Sequence, residues 1–328
     1  MRLLAGDIGG TKVLLQLADF EHGKFRVLAE QRFASAAYTG LAPMVREFLS
    51  GANATAVPDA ACFGIAGPVE ATPSGQRART TNLPWVIETD RLKTELGMPR
   101  IRLINDFQAI GYAIDGLEPL DLVTLQEGER VAGAPAAVVG AGTGLGQALL
   151  IWSGDHYESM PTEGGHVDFA PTDELQVDLL RSLTGRYERV SYERILSGAG
   201  LMSLYSFFRA RSSATATAHK ECDTPAAVSE AGLAGSDTAA IAALRLFVFI
   251  YGSHAGNVAL SYFARGGVYI AGGIAPKILP ALQDGTFMRA FADKGRMGVL
   301  MERFPVRVVT NEKAGLLGAA LAASRLRG

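Results

Sequence analysis

The sequence contains little cysteine and no excess of charge of one sign, and both absences narrow its class. Only two cysteines, Cys62 and Cys222, occur among 328 residues, and they lie far apart in the chain. We therefore expect neither a disulfide framework nor a cysteine-rich zinc site, and this usage fits a reducing cytoplasm. The formal net charge is −2 and no long basic run occurs. The sequence thus lacks the electrostatic signature of a nucleic-acid-binding protein, and we expect no nucleic-acid partner.

Long hydrophobic runs are also scarce. The first apolar run ends at Gly6, which is too early for a secretory signal. One stretch, residues 241–263, is apolar enough to resemble a membrane span, but it contains Arg245, His254 and Asn257. This pattern favours a buried core helix. We expect a soluble, cytoplasmic protein with no membrane partner.

The composition is that of a globular protein, with 48% hydrophobic and 20% charged residues. The length suits two domains, each with its own core. Strand-like and helical segments alternate, which predicts an α/β architecture with helices covering sheets. The predicted strands are residues 3–5, 13–17, 60–65, 101–104, 136–139, 148–151, 268–271 and 306–309. The clearest predicted helices are residues 41–49, 90–96, 107–114, 175–183, 238–263 and 315–325, whereas the Ser-, Ala- and Gly-rich residues 209–237 indicate a surface excursion.

Two segments repeat one pattern, in which an apolar strand leads through a glycine turn into a second apolar strand. An ordinary β-hairpin would explain either turn alone. Successive N–H groups beside glycine can form a concavity for phosphate oxygens, and the repetition favours a nucleoside triphosphate bound by two related halves. Neither a Walker A loop nor a Rossmann fingerprint fits the spacing. The two turns are Gly6-Asp7-Ile8-Gly9-Gly10-Thr11 and Gly140-Ala141-Gly142-Thr143-Gly144-Leu145-Gly146.

A carboxylate follows a buried strand at Asp106. The apolar residues 101–104 precede Asn105 and Asp106, and a helical pattern comes next. Such a position lies at the carboxyl edge of the sheet, where α/β proteins bind ligands. Capping the helix is a common alternative role for aspartate, but that role alone leaves Asn105 unexplained. We therefore interpret Asp106 as a candidate general base.

Three further segments carry candidate ligand-binding residues. Glu163 and His166 flank two glycines, an arrangement that can form a compact turn with two polar arms. Metal binding is the rival interpretation, although companion ligands are missing. Glu193 alone would be an ordinary helical glutamate. Gly272 and Gly273 end a third strand and could admit an adenine and ribose, or serve packing only, as could the small residues 314–319.

Taken in order, these segments resemble the bacterial glucokinase family, within the superfamily that hexokinases, actin and heat-shock chaperones share. The related repressor-and-kinase family has a cysteine-rich zinc motif beside its Glu-x-Gly-His element. Here residues 167–171 follow His166 without cysteine, so the zinc-free branch is the better match. The resemblance extends over nearly the whole chain and is carried by the two glycine turns together with Thr81-Asn82-Leu83-Pro84-Trp85, Asn105-Asp106-Phe107, Glu163-Gly164-Gly165-His166, Glu193-Arg194-Ile195-Leu196-Ser197-Gly198 and Ala271-Gly272-Gly273-Ile274.

The resemblance implies a two-lobed α/β fold of the actin-like ATPase (ribonuclease H-like) type with a cleft between the lobes. Residues 1–115 and 307–328 would form the small lobe, and residues 116–306 the large one. It also implies ATP-dependent phosphorylation of the 6-hydroxyl of glucose, the first step of glycolysis, by a homodimer. Asp106 would be the base. Asn105, Glu163, His166 and Glu193 would bind the sugar. The ATP and Mg²⁺ site would include Gly6, Asp7, Ile8, Gly9, Gly10, Thr11, Gly142, Thr143, Gly144, Gly272 and Gly273, with Asp7 near the metal.

Three alternatives stay open from the sequence. The enzyme could phosphorylate another hexose, since discrimination by one hydroxyl depends on fine geometry. A sugar-responsive regulator could keep the fold without catalysis, although Asp106 is present. An actin-like or chaperone-like ATPase would leave the polar residues between Asn105 and Glu193 without a purpose.

Overall fold

The computed structural model describes residues 1–52, 56–80, 83–211 and 222–326. Fourteen strands lie in the described residues: β1 (Arg2–Ile8), β2 (Lys12–Glu21), β3 (Lys24–Ala34), β4 (Ala60–Ile65), β5 (Val69–Thr72), β6 (Gly75–Arg79), β7 (Val86–Glu88), β8 (Ile101–Asn105), β9 (Leu122–Gln126), β10 (Ala136–Ala141), β11 (Leu145–Trp152), β12 (Tyr157–Thr162), β13 (Gly267–Ala271) and β14 (Val306–Val309).

The α-helices of the same residues are α1 (Leu41–Gly51), α2 (Thr89–Leu96), α3 (Asp106–Ala113), α4 (Glu174–Thr184), α5 (Gly198–Arg211), α6 (Pro225–Ala234), α7 (Thr238–Tyr262), α8 (Leu279–Gln283), α9 (Thr286–Ala292), α10 (Gly298–Met301) and α11 (Ala314–Ser324). Short 3₁₀ helices are Ser35–Ala37, Ile114–Gly116, Pro119–Asp121, Gly164–His166, Tyr192–Arg194, Ala275–Ile278 and Gly295–Met297.

The chain forms two compact units. Unit 1 comprises Met1–Glu118, His156–Pro161 and Asn311–Gly328, and unit 2 comprises Pro119–Asp155 and Thr162–Thr310. The lobe limits expected from the sequence, 115/116 and 306/307, stay predictions. The second of them falls within β14, which belongs to the sheet of unit 2.

Unit 1 is built on a sheet with the strand order β3-β2-β1-β4-β8, and a smaller sheet has the order β5-β6-β7. The pair β1–β2 is antiparallel, whereas β1, β4 and β8 are parallel. The carboxyl ends of these three strands therefore meet at one edge. Helix α11 completes the core, because its buried Leu316 and Ala319 pack with Ala5 of β1.

Unit 2 repeats this plan. Its sheet has β11, β10, β13, β14 and β9 in that order. The pair β10–β11 is antiparallel, and β10, β13 and β14 are parallel. Helix α7 is long and apolar enough to cross a membrane, but 78% of its most apolar window is buried inside the protein. The prediction of a core helix is confirmed, since Phe247, Tyr251 and Ala255 lie in the unit 2 core.

Every predicted strand lies within an observed strand, and both glycine segments form the expected hairpins. Every predicted helix coincides with an observed one, but the predictions 107–114, 238–263 and 315–325 each extend one residue past the end of the α-helix. The surface excursion predicted for residues 209–237 is wrong where the structure describes it. Helix α6 lies there, and its Val228 is fully buried in the unit 2 core. Residues 212–221, and Thr81 and Asn82 of the family motif, lie outside the described residues.

Candidate functional site

The first glycine turn connects β1 and β2. Ile8 pairs with Val13, which leaves residues 9–12 as the turn. Gly9 N donates to Lys12 O at 3.0 Å, and Ser35 Oγ donates to Gly9 O at 3.0 Å. In the described parts of the chain, the N–H groups of Gly10 and Thr11 have no acceptor. The two hydrogen bonds of Gly9 therefore fix the turn, and the N–H groups of Gly10 and Thr11 remain available to a ligand or solvent.

Gly6 and Ile8 lie inside β1 and contribute to packing. A Cβ atom on Gly6 would lie 2.6 Å from Phe63 Cδ1, and the Ile8 side chain is fully buried. Their predicted part in nucleotide binding stays a prediction, and only their backbone groups could serve it.

The Asp7 side chain is half-buried at the end of β1. Burial raises the pKa of its carboxyl above the ordinary value. A Cβ atom on Gly315 would lie 3.4 Å from Asp7 Oδ2, so the first turn of α11 packs directly on this group. No hydrogen bond to the carboxylate is present among the described residues. An oxygen ligand in this condition is suited to a hard cation such as Mg²⁺.

Asn105, and not Asp106, caps helix α3. Asn105 Oδ1 accepts from Phe107 N at 2.9 Å and from Gln108 N at 3.4 Å, and Gln108 completes a capping box. The alternative role of Asp106 as the cap is therefore wrong. Asn105 Nδ2 also donates to Gly67 O at 3.2 Å. Most of the Asn105 hydrogen-bonding capacity is thus used by the backbone, which its predicted sugar contact would have to share.

Asp106 and Asp7 lie at the same edge of the unit 1 sheet. Asp7 pairs with Gly64, and Gly64 pairs with Ile104, two residues before Asp106. Two interstrand spacings separate the Cα atoms of Asp7 and Ile104 by about 10 Å. A Cβ atom on Gly64 would lie 3.9 Å from the Cα atom of Asp106, so α3 begins close to this strand end. Unit 1 therefore brings the predicted base and the predicted metal-binding residue together.

The second glycine turn connects β10 and β11. Gly142 N donates to Gly144 O at 2.8 Å, and Gly198 N at the start of α5 donates to Gly142 O at 2.9 Å. The N–H groups of Thr143 and Gly144 have no acceptor within the described ranges. A Cβ atom on Gly142 would lie 4.0 Å from Gly273 N. The predicted nucleotide residues of unit 2 therefore share one edge of its sheet.

Gly272 has a clear reason to be glycine. Its φ of +83° is disfavoured for other residues, and a Cβ atom would overlap Ala141 O. Ile274 N donates to the same Ala141 oxygen at 3.2 Å. The segment after β13 is thus held against the end of β10, beside the second turn.

Tyr251 supports this edge and was missed in the sequence. Its buried hydroxyl accepts from Ala141 N at 3.1 Å and lies 3.2 Å from Val139 O and 3.4 Å from Ala271 O. Burial raises the pKa of Tyr251 far above its ordinary value. The β10–β13 pairing ends at Gly140 and Ala271. The Tyr251 hydroxyl therefore supplies hydrogen bonds to backbone groups at the ends of these two strands. The only sequence signal was a tyrosine within the apolar run of α7, and its β10 partners, Val139 and Ala141, lie more than a hundred residues earlier in the chain.

Three predicted sugar-binding residues come together in unit 2. His166 Nε2 lies 3.7 Å from Glu163 Oε2, and His166 Nδ1 lies 3.8 Å from Glu193 Oε1. Glu163 and His166 are arms of the compact turn Gly164–His166, and their side chains are 76% and 57% exposed. Glu193 Oε2 accepts from Leu145 N, directly after the glycine turn, at 3.0 Å. The cluster therefore presents two carboxylates and an imidazole that a ligand can reach.

Comparison with known proteins identifies the chain's relatives. The family model described as "Glucokinase" matches residues 4–326. The chain is 46% identical over 343 residues to a glucokinase of Nostoc sp. strain PCC 7120, covering 99% of each chain. A crystal structure of a glucokinase from an Antarctic psychrotroph superposes with a TM-score of 0.87 at 31% identity, with 99% of each chain covered.

A more distant structural neighbour shares the fold. It is a glucokinase of the ROK family from Streptomyces griseus, described in complex with glucose and AMPPNP, with a TM-score of 0.64 and 19% identity. The alignment covers 99% of this chain and 100% of that one. The neighbours agree with the expected actin-like ATPase fold of the α/β class.

Proposed function

Because the chain belongs to the glucokinase family, we propose that it transfers the γ-phosphoryl group of ATP to the 6-hydroxyl of glucose. The observation that carries this proposal is the hydrogen bond between Leu145 N and Glu193 Oε2. It joins a turn with free N–H donors to a cluster of hydroxyl-binding side chains. Unit 2 therefore combines in one place what phosphate oxygens and sugar hydroxyls each require. The AMPPNP and glucose named for the Streptomyces griseus protein agree with this pair of substrates.

Phosphoryl transfer asks a protein mainly for positioning and charge stabilisation. The free N–H groups of residues 10–11 and 143–144 supply donors for phosphate oxygens. Such donors stabilise the charge on the transferring group without reorganising during the reaction. Aligning the hydroxyl with the γ-phosphate can contribute roughly 7–11 kcal/mol by removing an entropic cost.

Asp106 accepts the proton of the attacking hydroxyl in this mechanism. Asn105 performs the capping of α3, so the Asp106 side chain is not required for that role. One Asp106 oxygen accepts from Phe107 N at 2.9 Å, which orients the carboxylate at the start of α3. General-base catalysis of this kind contributes typically about 10²–10⁴-fold.

Sugar recognition falls to the unit 2 cluster. Ionised Glu163 and Glu193 are pure acceptors, so they select hydroxyl donors, and His166 can donate or accept through either ring nitrogen. Asn105 can donate its second Nδ2 hydrogen to a sugar hydroxyl, because the first is donated to Gly67 O.

Mg²⁺ fits Asp7. The carboxylate is half-buried, has a raised pKa, and accepts no hydrogen bond from the residues that the structure describes. One carboxylate plus substrate phosphates is a common magnesium arrangement. A bound Mg²⁺ would neutralise phosphate charge.

We also propose that the protein acts in the cytoplasm, as a homodimer, at the entry of glucose into glycolysis. Cys62 and Cys222 are both free and buried, which suits a reducing compartment. The dimer and the pathway rest on the family resemblance alone. Light scattering of the purified protein would measure its mass in solution.

The test is a sugar-dependent ADP-release assay with purified protein, ATP and a panel of hexoses. We expect turnover with glucose, no ADP release without sugar, and glucose 6-phosphate as the product by mass spectrometry. ADP release independent of sugar would indicate an ATPase. Binding of glucose without turnover would indicate a regulator, and a higher kcat/KM for another hexose would change the substrate.

A further inference from the structure

The residue Gly144 lies in the second glycine turn, yet its surroundings belong to the sugar cluster. A Cβ atom at this position would lie 2.5 Å from Glu193 Oε2, closer than real Cβ contacts occur. The carboxylate therefore occupies the space that any side chain at position 144 would need. The next residue, Leu145, donates its N–H to the same oxygen.

The turn that carries Glu163 and His166 packs on the same short segment of β11. A Cβ atom on Gly165 would overlap Leu145 O, and one on Gly164 would lie 2.5 Å from the amide of Gln147. Gln147 is itself fixed by a hydrogen bond to Tyr262 Oη at 2.7 Å. The peptide of Leu145 thus contacts Glu193 through its N–H and the Gly164–His166 turn through its carbonyl group.

The remaining Glu193 oxygen, Oε1, faces His166 Nδ1 at 3.8 Å. Glu193 is 28% exposed, so one side of the carboxylate is fixed by the turn and the other is accessible. A displacement of this carboxylate would alter the distances within the whole cluster, whose members share it as a neighbour.

We propose that Gly144 is a positioning residue for sugar binding, because the absence of a side chain there lets Glu193 take its place against the turn. This inference rests on the proposed function, in which the cluster binds the sugar. The contact of Glu193 with Gly144 and Leu145 also connects the second glycine turn directly to the sugar cluster. By linkage, any effect of nucleotide on sugar affinity through this contact is reciprocal.

The experiment compares Gly144→Ala with Gly142→Ala in the same turn. Neither glycine has a positive φ, and a Cβ atom on Gly142 meets nothing closer than Gly273 N at 4.0 Å. Because the obstacle at position 144 is the end of a flexible side chain, the variant should fold and move the carboxylate. Thermal melting checks that both variants remain folded.

We expect Gly144→Ala to raise the dissociation constant for glucose about tenfold or more, measured by calorimetry without nucleotide. Gly142→Ala should leave that constant within about twofold. Adding Gly144→Ala to Glu193→Ala should weaken glucose binding no further, since neighbours that act through one contact are not additive. Unchanged glucose affinity in Gly144→Ala, or a fully additive double variant, would overturn the proposal.

A second measurement does not depend on sugar. The Leu145 amide should exchange its hydrogen faster in Gly144→Ala, because the bond to Glu193 is lost, whereas Gly142→Ala should protect it as the unaltered protein does. Unchanged protection in Gly144→Ala would show that the carboxylate has not moved and would also contradict the inference. A protein that binds and phosphorylates no hexose, but shows the exchange difference, would refute the proposed function while keeping the contact.

Discussion

The two glycine hairpins follow one backbone plan but obtain their carboxylates in different ways. The hairpin of unit 1 contains its own acid, Asp7, which is half-buried beside α11 and accepts no hydrogen bond from the described residues. The hairpin of unit 2 contains none, and Glu193 reaches it from a 3₁₀ helix about fifty residues later. Under the proposed function, the repeated scaffold therefore serves cation binding in one copy and hydroxyl recognition in the other.

The supports behind the hairpins differ as well. In unit 1, α11 packs closely on α3, since a Cβ atom on Gly318 would overlap Ala109 O. In unit 2, Tyr251 of α7 holds the strand ends by its hydroxyl. Close helix packing supports one copy, and a buried polar group supports the other.

The largest expected effect is a loss of kcat when Asp106, the predicted base of unit 1, is replaced. Asp106→Asn should lower kcat by about 10²–10⁴-fold, because the base is lost, while the dissociation constant for glucose changes little. Steady-state kinetics and calorimetry measure the two quantities. Asp90→Asn is the matched control, since Asp90 also lies in the first turn of a unit 1 helix. A near-normal kcat in Asp106→Asn would show that unit 1 does not supply the general base through Asp106.

A smaller effect should follow from Asp7→Asn. We expect the Mg²⁺ concentration for half-maximal activity to rise about tenfold or more, the scale seen for groups that support metal sites. The same change should stabilise the metal-free protein at neutral pH, because an uncompensated buried charge is removed. The raised pKa fixes the sign: the folded state binds the Asp7 proton more tightly than the unfolded state.

The stability of the unaltered protein should therefore fall as pH rises from the ordinary aspartate pKa to the raised one, and Asp7→Asn should lack that fall. Urea unfolding without Mg²⁺ across this range tests it. Asp19→Asn is the contrasting control, because bonds from Arg2 and Arg26 lower the pKa of Asp19. Asp19→Asn should destabilise the protein at neutral pH. Equal signs for the two variants would contradict this account of Asp7.

The smallest expected effect follows from removing the Tyr251 hydroxyl, which supports the strand ends of unit 2. Tyr251→Phe should lower the free energy of unfolding by about 1–3 kcal/mol, because buried backbone groups at Ala141 and its neighbours lose a partner. The KM for ATP should rise more than the KM for glucose, since Ala141 leads into the turn. Urea unfolding and kinetics measure both. Tyr187→Phe is the control, as no hydrogen bond of the Tyr187 hydroxyl is present in the described residues. An unchanged free energy of unfolding in Tyr251→Phe would show that the hydroxyl does not stabilise these strand ends.

The sequence predicted the parts of the fold that carry a strong local signal. The hairpins β1–β2 and β10–β11 combine apolar strands with glycine turns, and the turn that carries Glu163 and His166 was expected from its two glycines. The strands β5 and β6 were missed because they are short and mostly polar, with no alternating apolar pattern. Helix α6 was hidden by its small residues, although Pro225 at its start is a known helix signal.

The site contacts that sequence reasoning did not predict join segments or depend on backbone geometry that the sequence does not show. Glu193 looked ordinary because its value lies in a bond to Leu145, 48 residues earlier. Asp106 was the candidate cap, whereas Asn105 takes that role, since a cap is defined by backbone geometry and not by residue type alone. Such pairings exist only after the chain has folded.

The position of α11 has a consequence for how the protein is made. Its Leu316, Ala319 and Ala320 fill the layer beside Ala5, so this part of the first sheet lacks its cover until residues 314–324 leave the ribosome. At about 5–20 residues per second, the 195 residues between positions 118 and 314 take about 10–40 s to synthesise. During that interval the early sheet exposes apolar surface, whereas the later unit can already assemble. This apolar layer therefore stays uncovered until the last helix of the described chain has been made.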